Sequence, residues 1–154
     1  MAAAREGFSN LCLGEQLCFA LYAATHAITR VYRPLLAEFG LTYPQYIVLL
    51  VLFERAESTV NGIAEALRLD AATVTPLLKR LAEAGWVSRE RSQADERVVV
   101  VKLTAKSHAA AAQLSAVQHK VRCRAGLDDL QFERLRTELI DLTQRLSVEV
   151  EEPA

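Results

Sequence analysis

The chain carries three cysteines, Cys12, Cys18 and Cys123, and thiol chemistry is the first chemistry to ask of it. A thiolate attacks a peroxide oxygen, expels an alcohol or alkoxide, and becomes a sulfenic acid that a second thiol can condense to a disulfide. Cys18 stands in QLCFALYAATHAITRVYRPLL, flanked by Leu17, Phe19 and Leu21. By itself, a cysteine on an apolar helix reads as a small core residue. If it meets an oxidant instead, those neighbours would admit a fatty-acid or aryl hydroperoxide more readily than a small hydrated one. A place in the first turns of a helix would favour the thiolate through the backbone dipole. Cys12 cannot bridge to Cys18 within one regular helix. Six residues raise it by about 9 Å and turn it by about 120°, whereas a disulfide needs Cα atoms within about 7 Å. The odd count argues against a structural disulfide framework. No CxxC pair occurs, and His26, His108 and His119 are scattered, so neither a metal nor a cofactor is expected.

A second set of residues suits nucleic acid. From Val60 to Leu103 the chain reads VNGIAEALRL, DAATVTPLLKRLAEAGW and VSRERSQADERVVVVKL. Ser58 or Thr59 can cap a first short helix, in which Ile63, Ala64 and Leu67 recur at helical spacing. Leu69 closes a tight turn, and Asp70 caps a second helix whose Val74, Leu77, Leu78 and Leu81 form one apolar face. Its other face offers Thr73, Thr75, Pro76, Lys79 and Arg80, hydroxyls and cations suited to phosphates and base edges. Pro76 removes a hydrogen bond from Ala72, which predicts a local bend or a ragged start. Gly85 can end the helix in a left-handed conformation. Two β-rich runs follow with a polar turn at Ser92 to Glu96, and Arg89, Arg91 and Arg97 cluster there. An arginine-bearing hairpin can reach a neighbouring minor groove. Two helices, a turn and a two-stranded wing make a winged helix-turn-helix, a reader of double-stranded DNA.

The remaining elements must carry these two sets. A long first helix is expected over roughly Gly14 to Glu38, with Leu17, Leu21, Ala24 and Ile28 as its stripe. Pro34 is expected to kink it or divide it in two, and Gly40 to stop it. Thr42 can cap a helix over Tyr43 to Arg55, with Pro44 in the first turn. Its run IVLLVLF is apolar on every side and predicts a central, buried helix. Past the wing, Thr104 can cap a helix running to about Arg124, and Gly126 breaks it. Asp128 begins a last helix in which Leu135, Leu139, Leu142 and Leu146 recur at spacings of four, three and four, the rhythm of a helix packed on helices. The expected fold is mainly α with a small β-wing. It is a single domain over 1–154, with 58–104 as the reader and 12–57 and 107–150 as dimerisation and sensing helices. A two-fold homodimer would present two reading helices to the half-sites of a pseudo-palindromic operator.

Length and charge agree with this outline. One domain with dimerisation arms suits 154 residues. The net charge of −1 does not by itself suggest nucleic acid. Residues 60–106, however, carry eight Lys or Arg against six Asp or Glu, while both flanks are slightly acidic. No apolar run approaches the roughly 20 residues of a membrane helix, and MAAAREGFSN lacks the order of a signal peptide. No membrane partner is expected, and a cytoplasmic location is.

The reader, with TVTPLLKRLAEAG and DERVVVVKLT, resembles the MarR family of bacterial regulators. LCFALYAA, VYRPLL and GLTYPQY narrow the likeness to its organic hydroperoxide resistance regulators, the OhrR subgroup, over about Glu15 to Leu146. The resemblance implies a dimeric repressor, not an enzyme, that senses organic hydroperoxides through Cys18 in LCFALYA. It implies that Tyr32 of VYRPLL and Tyr43 of LTYPQY hydrogen-bond that cysteine from the partner subunit, and that Tyr22 lines the same pocket. In the two-cysteine branch, a cysteine in the helix after the wing captures the oxidised thiol across the dimer, and Cys123 occupies that region. The spacing Asp95-x-Arg97 matches the family's wing motif, with Arg97 contacting the minor groove or pairing with Asp95 to shape the hairpin. Two other functions share these features. A thiol peroxidase would turn over on Cys18 and would need no DNA reader. A regulator of the same fold could bind an aromatic ligand reversibly and respond without Cys18.

Overall fold

The computed structural model describes residues 11–91 and 97–148. A single 3-10 turn, Leu13–Glu15, precedes α1, Leu17–Ala37, and α2, Tyr43–Arg55. There follow β1, Glu57–Thr59; α3, Val60–Leu67; α4, Ala71–Glu83; β2, Val87–Arg91; and β3, Val99–Leu103. Two long helices, α5, Ala105–Ala125, and α6, Asp129–Val148, come last. The mainly helical fold with a small β-wing is as expected. The chain forms two compact units, one ending at Val117 and the other starting at Gln118, within α5. None of the described helices is long and apolar enough to cross a membrane.

In the first unit, α1 starts later than expected, because Gly14 is taken into the 3-10 turn. Pro34 neither divides nor ends α1, which is helical from Leu17 to Ala37. Pro34 and Arg30 are both exposed, so the Arg30 carbonyl that lacks an amide partner can bond water. The helix ends at Gly40, whose φ of 67° suits a residue without a side chain. There the Gly40 N–H donates to Ala37 O and the Leu41 N–H to Leu36 O, both at 3.0 Å. The cap of α2 comes from Thr42 and Gln45. The Gln45 side-chain oxygen accepts the Thr42 N–H at 2.8 Å and the Thr42 hydroxyl at 3.0 Å. Val48, Leu49 and Leu52 of α2 are fully buried, but Leu50 is 39% exposed. The helix is therefore central without being enclosed on all sides.

α3 and α4 pack against α2, and β3 closes the same core. Ile63, Val74, Leu78, Leu81 and Val101 are entirely inaccessible, and Trp86 nearly so. Burial of side chains of this size stabilises by about 1.5–3 kcal/mol each. The expected two-stranded wing is present as β2 paired with β3, and β1 adds a third strand, giving an antiparallel sheet in the order β1-β3-β2. Glu57, Ser58 and Thr59 pair with Lys102, Val101 and Val100. Ser58 thus belongs to a strand, and Thr59 is the residue that caps α3, its hydroxyl oxygen accepting the Gly62 N–H at 3.0 Å. Lys102 reaches Glu57 at 3.4 Å and Glu90 at 3.3 Å, bridging the two outer strands.

Thr104 is corrected too. Its hydroxyl does not cap α5 but donates to Gly85 O at 2.7 Å and Trp86 O at 3.2 Å. The Trp86 carbonyl also accepts the Thr104 N–H at 3.2 Å, so the hydroxyl adds to a backbone bond already made there. Two neighbours do likewise: the Lys106 ammonium donates to Ala84 O at 2.7 Å and lies 4.5 Å over the Trp86 ring, and the buried Ser107 hydroxyl donates to Trp86 O. The start of α5 is thereby clasped to the end of α4.

In the second unit, Gly126 breaks the helix at φ 66°. Asp128 and Gln131 cap α6 reciprocally, each side chain accepting the other's N–H, at 2.8 and 3.1 Å. Arg122 pairs with Asp129 and covers the Phe132 ring at 4.4 Å. Leu135, Leu139 and Leu146 are exposed along α6.

Candidate functional site

The reader is built by short-range chemistry. Arg68 takes the left-handed conformation at φ 53°, letting the Leu69 N–H close on Ala64 O at 2.9 Å. Asp70 then caps α4: its carboxylate accepts the Thr73 N–H at 2.6 Å and the Thr73 hydroxyl at 3.0 Å. Those bonds favour the ionised carboxylate and lower its pKa. The start is capped rather than ragged, and α4 continues from Ala71 to Glu83 with Pro76 inside it. Thr73, Thr75, Pro76, Lys79 and Arg80 are all exposed on the side opposite Val74, Leu78 and Leu81. The Thr75 hydroxyl donates to Ala71 O at 2.7 Å, so both hydroxyl protons are already used within the helix. Lys79 is only loosely paired with Glu83, at 4.0 Å. Lys79 and Arg80 are therefore the strongest donors this face offers.

Arg89 and Arg91 are exposed on one face of β2, opposite Val101 and Val99 of β3. Arg97 is exposed just before β3. The expected turn at Ser92 to Glu96, including Asp95, lies outside the described residues, and with it the pairing of Asp95 and Arg97.

The thiols occupy three different settings. Cys18 is the second residue of α1 and is exposed, beside Leu17, 60% exposed, and Phe19, 39% exposed. Cys12 precedes the 3-10 turn in an extended conformation and is half-buried. Cys123 is exposed near the end of α5, its sulfur 3.7 Å from Nδ1 of His119 one turn earlier.

The tyrosines divide into two groups. Tyr32 and Tyr43 meet at a ring separation of 4.9 Å, and Tyr46 joins them at 5.7 Å from Tyr32 and 6.5 Å from Tyr43. Burial, with two phenols alongside, pushes the Tyr32 pKa up to about 12, and burial raises those of Tyr43 and Tyr46. All three are therefore protonated donors across the physiological range. Sequence reasoning missed Tyr46, although it stands three residues after Tyr43, on the same helical face. Tyr22 is not with them: it is 62% exposed, and its ring lies 4.3 Å from that of His26, tilted to it. Nor does one chain bring Cys18 to the trio. Cys18 and Tyr32 are fourteen residues apart on the unbroken α1, about 21 Å along its axis.

The helix-turn-helix, the flanking sheet and the exposed cations define a winged-helix DNA-binding protein. Residues 30–114 match the family model described as transcriptional regulator SarA/Rot. The regulator TtmR of Methylorubrum extorquens strain PA1 is 49% identical over 115 residues, which is 75% of this chain and 59% of that protein. The organic hydroperoxide resistance transcriptional regulator of Bacillus subtilis strain 168 is 46% identical over 97 residues, 63% of this chain and 66% of that protein. These alignments span under two thirds of either relative. The regulator MgrA of Staphylococcus aureus is 38% identical over 124 residues, 80% of this chain and 84% of that protein. Among solved structures, reduced AbfR bound to DNA, a protein of Staphylococcus epidermidis, superposes with a TM-score of 0.77 at 34% identity, covering 93% of this chain and 98% of that one. Disulfide-formed AbfR gives 0.64 at 33% identity, covering 94% and 96%. The chain belongs to this family of MarR/SarA-type transcriptional regulators, in which the organic hydroperoxide regulators it resembles are also found.

Proposed function

We propose that the protein is a homodimeric repressor that binds a pseudo-palindromic operator and leaves it when an organic hydroperoxide oxidises Cys18. The observation that carries this reading is the placement of Cys18. It is an exposed thiol in the first turn of a helix, set in apolar surface, in a chain that also presents a DNA reader. The reader argues against a thiol peroxidase, which would have no use for it.

The chemistry balances as follows. The Cys18 thiolate attacks the terminal oxygen of ROOH, the O–O bond breaks, and RO⁻ leaves. Sulfur keeps the OH as sulfenic acid, and RO⁻ takes a proton to become ROH. Tyr32 and Tyr43 of a second subunit serve as donors, first to the thiolate and then to the leaving oxygen. The Cys123 thiolate of the second subunit then attacks the sulfenic sulfur, forms the disulfide and releases hydroxide, which is protonated to water. The crosslink shifts the dimer helices, and the two reading helices no longer match the half-site spacing.

A DNA-binding titration on the region upstream of the protein's own gene tests the reading. The reduced protein is expected to bind, to release on treatment with cumene hydroperoxide, and to rebind with dithiothreitol, while Cys18→Ser stays bound. Equal release by both proteins would remove Cys18 as the switch. Failure of either to bind better than to nonspecific competitor would overturn the reader. On non-reducing gels, Cys123→Ser should form sulfenic acid without an intersubunit crosslink.

A further inference from the structure

A cleft of about 440 Å³ opens between one face of α1 and the segment that leads into α2. His26, Thr29 and Arg33 line it from α1, and Leu41, Thr42 and Tyr43 from the other side. Its polar groups are not equally available. The Thr29 hydroxyl donates to Thr25 O at 2.8 Å, and the Thr42 hydroxyl donates to Gln45. The His26 ring lies 4.3 Å from that of Tyr22 and is tilted to it, and it is an imidazole rather than a fixed cation. Arg33 makes no ion pair or side-chain hydrogen bond with a described residue, and no carboxylate is among the described lining residues. A guanidinium, always charged and shaped for bidentate contact, is thus part of the lining of a partly apolar cleft. Tyr43 forms one wall and also belongs to the Tyr32–Tyr43–Tyr46 trio.

We infer that this cleft takes an organic hydroperoxide that carries a carboxylate, with Arg33 gripping the carboxylate and the chain lying toward Tyr43. The inference rests on the sensor reading, in which Tyr43 stands beside the partner's reactive thiol. Arg33 does not touch the reacting atoms. It is a specificity residue that holds the far end of the oxidant so that its peroxide group lies near the thiol. Neutral hydroperoxides of the same length reach the same cleft without that grip.

The test uses linoleic acid hydroperoxide and its methyl ester, which differ only in the charged group, each below its micelle-forming concentration. The full-length reduced protein is mixed with each, and the rate of Cys18 sulfenic acid formation is read by a dimedone-type trap and mass spectrometry. The acid is expected to react about tenfold faster than the ester, the effect of one charge-assisted contact. Raised salt should shrink that ratio. In Arg33→Gln the ratio should fall to about one, and in Arg33→Lys most of it should survive. A wild-type ratio near one, or a ratio that Arg33→Gln leaves intact, overturns the inference while leaving the sensor standing. If Cys18 resists both compounds and cumene hydroperoxide as well, the sensor reading itself falls, and this one with it.

Discussion

Cys18 and Tyr32 share one unbroken helix, and the fourteen residues between them put about 21 Å of axis between thiol and phenol. A contact between Cys18 and Tyr32 therefore requires two copies of the chain. Mixed dimers make the point measurable. Tyr32→Phe alone is expected to slow Cys18 oxidation by about tenfold, the effect of a lost hydrogen bond to an ionised group. Cys18→Ser alone removes the reaction. A mixed dimer of the two contains one intact site if the site is shared between subunits, so its one remaining thiol should react at the wild-type rate. A mixed dimer as slow as Tyr32→Phe would show that the site lies within one chain.

The reader predicts two kinds of DNA defect. Arg91 stands on the exposed face of β2, where its reach is to backbone or minor groove. Arg91→Ala should weaken binding to all sequences and lower the slope of log K against log salt by about one. Arg80 is exposed on α4 and makes no ion pair with a described residue, so Arg80→Ala should cost about 1–3 kcal/mol on the operator and relax its sequence preference. Thr75→Val should bind nearly as wild type, because that hydroxyl proton is already given to Ala71 O. Fluorescence anisotropy at several salt concentrations distinguishes these outcomes, and a large loss in Thr75→Val would show that its oxygen accepts from the DNA.

The clasp between α5 and α4 should hold the end of the reading helix. Ser107 is entirely buried and donates to Trp86 O, a carbonyl that Thr104 also reaches. Ser107→Ala should therefore cost about 1 kcal/mol rather than the larger penalty of a carbonyl left with no donor. Lys106→Met removes both the bond to Ala84 O and the cation over Trp86, and should cost about as much. Urea unfolding of each variant checks this, and unchanged midpoints would show that the clasp contributes nothing.

The tyrosine trio predicts a loss of stability in alkali. Tyr32 ionises near 10.0 when unfolded and near 12 in the fold. The native state therefore holds its proton while the unfolded state has released it. Its contribution is fully present below pH 10 and falls as the pH rises through the folded value. Tyr32→Phe should flatten the fall in melting temperature above pH 10, though not abolish it, since Tyr43 and Tyr46 are shifted in the same direction. Equal slopes for the two proteins would contradict the assignment.

Much of this molecule could be read before its folding was known, and the legible parts share a range. Asp70 with Thr73 and Thr42 with Gln45 each act across three residues. Gly40, Gly85 and Gly126 end helices because each bears a positive φ that the local chain demands. Val74, Leu78 and Leu81 declare a buried face by spacing alone. These effects are set by neighbours in the chain, so residue types and intervals suffice to place α1 to α6 and the reader.

What was missed depends on partners far along the chain. Ser58 joins a strand only because Val101, forty-three residues later, pairs with it. Three residues carry too little pattern to announce that pairing. Thr104 looks like a helix cap until the carbonyls of Gly85 and Trp86 come within reach. Tyr46 comes against Tyr32 only because α2 packs on α1. The cleft that Arg33 helps to line exists only once α1 and the segment before α2 lie side by side. Residue types and their intervals thus determined the elements and the kinds of chemistry, because propensity and capping act over a few residues. Tertiary structure alone decided which side chains meet, because burial and cross-strand pairing join residues that no local interval connects.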